Sequence, residues 1–110
     1  MDRKTDELYL KHIRDAIALI QTWVESKTLN DLNIDLKLQS AVIRQLEIIG
    51  EASRKISTEL KIKTPEIPWR PISDTRNTLI HGYFTVDIEM VWGMIQKDLP
   101  KLKEQILAIL

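Results

Sequence analysis

The chain has 110 residues, with 16 basic and 16 acidic side chains for a formal charge of zero, and no cysteine. That length predicts a single domain, residues 1–110, with a modest core. The charge balance excludes a global basic field, and the missing cysteines exclude disulfides, thiolate nucleophiles and cysteine-based zinc sites.

The charged N-terminus "MDRKTDELYLKHIRDA" lacks the apolar heart of a signal peptide. No apolar run nears the roughly 20 residues that span a bilayer, so a cytoplasmic protein without membrane attachment is expected. Leu10, Ile13, Ile17, Ile20 and Val24 alternate in steps of three and four, the stripe of an amphipathic helix over about Asp6 to Ser26. His12 falls on its polar or boundary face with no second histidine at ligand spacing, and it reads as a surface residue rather than a metal ligand.

"SKTLNDLNID" collects side chains that compete with helical backbone bonding, so it reads as a loop in which Asn33 or Asp35 caps the next helix. Val42, Leu46, Ile49, Ser53, Ile56 and Leu60 form a second stripe and predict a long helix from about Asp35 to Glu59. Glu47 and Glu51 share a face of it. They read either as a solvated face answering Arg44, Arg54 and Lys55 or as a polar lining opposite Arg76 or His81.

The proline-rich "KIKTPEIPWRP" is a connection, with Pro68 or Pro71 suited to the first turn of a third helix. That helix is expected over Ile72 to about His81, ended by Gly82, which takes the left-handed C′ conformation without a Cβ penalty. Thr85 is expected to cap a fourth helix, with Asp87 and Glu89 at its positive end and a stripe of Ile88, Trp92, Ile95, Leu99, Leu102, Ile106 and Ile109. Pro100 predicts a kink or a short break near Asp98. Trp23, Trp69 and Trp92 read as core or interface anchors. With no segment of period two, the fold class is all-α, an antiparallel bundle of four to five helices.

The stretch "RNTLIHGYF", Arg76 to Phe84, is not what a packing helix requires. Asn77 and His81 are neighbours on a helix surface, so the amide can orient the imidazole. Arg76 lies about 140° around the helix from His81, within reach of a long side chain. A permanent cation beside a group titrating near neutrality suits phosphodiester cleavage, the imidazole moving protons and the guanidinium stabilising charge on phosphate without a metal. Equally, the spacing fits a structural hydrogen-bond network.

"RNTLIHGYF" also carries an Arg-x4-His-x-Tyr pattern that resembles the signature of the HepT toxins of the HEPN superfamily, with Arg76, His81 and Tyr83 at the signature positions. "LEIIGEASRKI", "EIPWRPISDTRN" and "VWGMIQKDLPKLKEQI" resemble the flanking helices of that family, so the likeness covers nearly the whole chain and is weakest at the N-terminal end. The resemblance implies a HEPN-like bundle that forms a homodimer and acts as a metal-independent endoribonuclease without cofactor, the toxin of a toxin–antitoxin pair. Arg76 would hold the scissile phosphate, His81 would act as general acid or base, and Asn77 would support them. The implied partner is a minimal nucleotidyltransferase antitoxin of the MntA type, which transfers AMP to the motif tyrosine, here Tyr83.

Surplus apolar residues (Ala16, Leu19 and Trp23 on the first helix, Val91 and Met94 on the fourth) agree with an expected partner surface. Lys61, Lys63 and Arg70 are expected to give a neutral chain a local basic rim for RNA. A rival reading is a non-catalytic helical module that binds a nucleotidyltransferase and helps position nucleotide or substrate.

Overall fold

A computed structural model of the chain describes the backbone of residues 3–80 and 86–110, and the side chains of 4–75 and 86–110. Among the described residues the fold is all-α: α1 (Arg3–Val24), α2 (Leu29–Ile34), α3 (Leu36–Arg54), α4 (Thr58–Lys63), α5 (Trp69–Ile80), α6 (Ile88–Gly93) and α7 (Leu99–Ile109). A π-helical turn, Met94–Asp98, joins α6 to α7.

The long helix α3 packs broadly on α1 and on α5, while α1 also packs on α7 and α2 sits against α3 and α6. Its stripe of Val42, Leu46, Ile49 and Ser53 is buried as the spacing predicts, and so is Ile56 just past its end. All five stripe residues of α1 are buried too. Trp69 is buried, and Trp23 and Trp92 are half-buried against the core.

Two of the surplus apolar residues belong inside. Ala16 and Val91 are 2% and 1% exposed, so they are core positions and not partner surface. The π turn accounts for Val91: its wider i→i+5 turn brings Val91, Ile95 and Leu99, each four apart, onto one face. The turn has a local cause. Pro100 has no amide to give the Gln96 carbonyl and its ring would collide with that carbonyl in a regular helix, so the amide of Leu99 bonds back to the Met94 carbonyl. The break expected near Asp98 takes this form.

The single second helix expected from Asp35 to Glu59 is divided. It stops at Arg54, and α4 begins at Thr58. The reason is non-local: Asp6, 8% exposed in the first turn of α1, accepts from the Ser57 amide at 2.8 Å and the Ser57 hydroxyl at 2.6 Å. The same hydroxyl accepts from the Leu60 amide at 3.1 Å and so caps α4. A buried carboxylate thus fixes a helix start 51 residues away.

The segment "SKTLNDLNID" is not all loop, since it contains α2. Thr28 and Asp31 form a reciprocal capping box, each side chain accepting from the other's backbone amide at 3.1 and 2.8 Å. Gln39 then donates to the Leu32 and Asn33 carbonyls, two otherwise unpaired acceptors at the end of α2. Asp35 caps α3 as expected, accepting from the Leu38 amide at 3.0 Å. Helix α5 starts at Trp69, three residues before the expected Ile72, with Pro71 in its first turn where no amide is needed. Its expected end at His81 and Gly82, and the expected cap Thr85, lie outside the described residues. Helix α6 starts at Ile88 and its cap is Asp87, through the Met90 amide at 3.1 Å, in place of the expected Thr85.

Two buried polar groups behave oppositely. Asp6→Ala leaves Ser57 without its charge-assisted acceptor and is expected to lower stability by about 1–3 kcal/mol. The Ser53 hydroxyl is fully buried and has no hydrogen-bond partner, so Ser53→Ala is expected to be neutral or to stabilise by up to about 1 kcal/mol. Urea denaturation of both variants checks the pair, and a Ser53→Ala loss as large as that of Asp6→Ala would contradict it.

The Thr28 backbone amide, and next its hydroxyl, hold the Asp31 carboxyl below the ordinary carboxylate range. A carboxyl depressed in the folded state contributes above its unfolded value and ceases to contribute as pH falls through its folded one. Amide exchange in α2, corrected for intrinsic rates, should therefore accelerate only at acid pH below the ordinary carboxylate range. Asp31→Asn should remove that dependence.

Candidate active site at the end of the fifth helix

Helix α5 carries Arg76 and Asn77, the first two candidate residues, and its first turn is fastened at several points. The Trp69 indole donates to the Thr64 hydroxyl at 2.9 Å inside the core, and Thr64 donates onward to the Leu60 carbonyl at 2.8 Å. Thr64 is the C-cap of α4, so one hydrogen-bond chain links the end of α4 to the start of α5. Gln105 of α7 reaches the Glu66 carbonyl in the intervening loop at 3.1 Å.

Further along, Ser73 and Thr75 donate back to the Trp69 and Pro71 carbonyls at 2.9 and 3.2 Å, within the helix. Positions 76 and 77 lie in the regular helical part of α5. By helical spacing position 76 continues the stripe that starts at buried Trp69 and passes Ser73. The backbone of Arg76 and Asn77 is thereby placed on a rigid element. His81 and Tyr83 lie outside the described residues, as does any contact among the four.

The expected basic rim is not uniform. Lys63 pairs with Glu59 at 3.2 Å and lines a depression with Asp6 and Glu7. Lys61 leans toward the Arg54 carbonyl at the end of α3, at 3.5 Å. Arg70 is exposed on the first turn of α5 and forms no ion pair among the described residues. Glu47 and Glu51 line a shallow depression of about 350 Å³ with Arg44, Lys55, Tyr9 and His12. There Lys55 stands 5.8 Å from the centre of the Tyr9 ring and His12 meets that ring edge-on.

Sequence reasoning missed a feature on the other side of α5. This helix packs on α3 without a comparable contact to α7. Between α5 and α7 runs a groove of about 520 Å³ floored by Leu46 and Ile49. Its apolar lining looks like ordinary core stripe in sequence; only the spacing of the helices exposes it. Among the described residues no group of three or more histidines and carboxylates is placed to hold a metal, and no helix is long and apolar enough to cross a membrane.

Residues 13–109 match the family model described as Ribonuclease HepT-like. A protein of Methanocaldococcus jannaschii, named as a gamma-glutamylcyclotransferase and candidate RNase, is 44% identical over 98% of this chain and 49% of its own length. A probable ribonuclease HepT of Thermococcus cleftensis is 44% identical over 92% of both chains. A candidate RNase of Caldanaerobacter subterraneus subsp. tengcongensis is 36% identical over 97% of this chain and 96% of its own. The chain thus spans about half of the first relative and nearly all of the other two. No solved structure matches.

Because Trp69 ties α5 to α4, Trp69→Phe should cost about 1–3 kcal/mol, from the lost indole hydrogen bond and the smaller ring. Denaturation curves measure the loss. Exchange protection should fall first in α5.

Proposed function

The chain belongs to the HepT-like ribonuclease family, and from that premise we propose that it is a metal-independent endoribonuclease acting as the toxin of a toxin–antitoxin pair. The observation that carries the reading is the family match over residues 13–109, which contains the whole Arg76–Tyr83 segment. The anchored start of α5 supports it, because a catalytic arginine is most useful on a rigid element.

In the proposed reaction His81 accepts the proton of a ribose 2′-hydroxyl as that oxygen attacks the adjacent phosphorus, or it donates a proton to the departing 5′-oxygen. Arg76 stabilises the charge that grows on the phosphoryl oxygens. The products are a 2′,3′-cyclic phosphate and a free 5′-hydroxyl. Asn77 supports the pair, and a homodimer brings two Arg76 and His81 sets to a shared cleft. Lys61 and Arg70 supply most of the proposed basic rim, since Lys63 is already paired with Glu59.

Control would act through Tyr83. An antitoxin nucleotidyltransferase of the MntA type joins the tyrosine oxygen to the α-phosphorus of ATP and releases pyrophosphate, while the phenol proton leaves. The resulting AMP group, negative and bulky, sits two residues from His81 and repels RNA phosphates.

The test is cleavage of total cellular RNA in EDTA by unmodified protein. Wild type should leave 2′,3′-cyclic phosphate ends, and Arg76→Ala and His81→Ala should each lower the rate by about 100-fold or more while unfolding at the wild-type urea concentration. Tyr83→Phe should still cut, yet take up no label from ATP carrying a radioactive α-phosphate when the nucleotidyltransferase is present. Inactive unmodified wild type would point instead to the non-catalytic module.

A further inference from the structure

The groove between α5 and α7 has a chemistry of its own. One wall carries Ile72 and Thr75 of α5, and the other carries Met94 and Leu102 from the π turn and α7. The π turn puts Met94 and Asp98, four apart, on this same side. Asp98 is exposed and, among the described residues, forms no hydrogen bond or ion pair through its side chain; it lies inside a continuous helical run and caps nothing there. Glu66 and Lys101 also border the groove without ion pairs among the described residues, and Gln105 gives one of its two amide hydrogens to the Glu66 carbonyl.

Resting on the ribonuclease reading, we propose that this groove is a nucleobase subsite that receives one base of the RNA substrate, with Asp98 as its specificity-determining residue. The volume of about 520 Å³ lies within the range of small-molecule sites. Apolar walls suit the faces of a flat ring, and the polarisable Met94 thioether is well matched to an aromatic edge. Charge fixes the orientation. Two carboxylates, Asp98 and Glu66, repel a phosphate and accept N–H groups, so the base enters and the backbone stays outside, where Lys101 meets it.

Position settles which ligand is relevant. Thr75 is the groove residue directly before Arg76, and from Thr75 to the end of α5 at Ile80 the helix rises about 7.5 Å, on the order of one nucleotide's reach. A base held in the groove therefore sets the register of the chain across the proposed cleavage site. An ionised carboxylate accepts from the exposed amino group of cytosine, adenine or guanine, whereas uracil's one free N–H, at N3, lies between two carbonyl oxygens that the carboxylate repels, so the amino-bearing bases are favoured over uracil.

Methyl-labelled protein titrated with the four 5′-ribonucleotides, followed at Ile72, Met94 and Leu102, tests the site without any need for cleavage. The expected result is saturable shifts at these methyls, with CMP bound roughly 5- to 100-fold more tightly than UMP. Asp98→Asn adds a donor for uracil and should erase that preference, and Met94→Trp should fill the groove and abolish the shifts. No shift with any nucleotide, a preference unchanged in Asp98→Asn, or shifts that follow protein concentration alone because a second copy fills the groove would each overturn the proposal. Oligonucleotide cleavage separates the two readings: relaxed base preference in Asp98→Asn supports the subsite, and unchanged preference with full cleavage removes the subsite alone. Nucleotide binding at the methyls by wild type that never cleaves would retain the subsite and remove the ribonuclease.

Discussion

Everything in this fold is referred to α3. Helix α1 covers one part of its surface and α5 another, so the buried arc from Val42 through Leu46 and Ile49 to Ser53 serves two neighbours at once. Small residues, Gly50 and Ala52, are buried on the same helix. Among the described residues the broad contact of α5 is with α3, and the Trp69–Thr64 link fastens its start. Among the described residues, the helix that carries Arg76 is held along the side that meets α3 and bordered by the groove on the side toward α7. That asymmetry produces both a rigid support and an adjoining groove.

Periodicity revealed the long elements because their stripes are local facts: steps of three and four residues in α1 and α3 reappear as buried side chains. The cap at Asp35 and the disturbance before Pro100 were legible for the same reason, each depending on residues within a turn or two. The division between α3 and α4 was not. Nothing near Ser57 announces that a carboxylate from the first turn of α1 will take its amide and hydroxyl. Helix α2 was hidden by its length, since six residues cannot show a period, although the threonine and aspartate of its capping box stand in plain sequence.

For the site, residue type and spacing singled out Arg76, His81 and Tyr83, and the surrounding likeness named the family. Sequence could not show how charges are already spent. Lys63 answers Glu59 among carboxylates, whereas Arg70 on the first turn of α5 forms no ion pair among the described residues. In a chain of zero net charge, this local accounting decides where an anion is welcome. The groove was illegible for a related reason: Leu46, Ile49 and Leu102 have the pattern of core residues, and only the separation of α5 from α7 leaves a space beside them.

The π turn also bears on how this chain is compared with others. A wide turn is the means by which a helix takes in one extra residue without unwinding. Across Met94–Asp98 the buried residues Val91, Ile95, Leu99, Leu102 and Ile106 step by four, four, three and four, so the core face upstream of the wide turn continues into the one downstream. A relative shorter by one residue at this point would retain both core faces, and the gap in its alignment belongs inside the helix rather than in a loop.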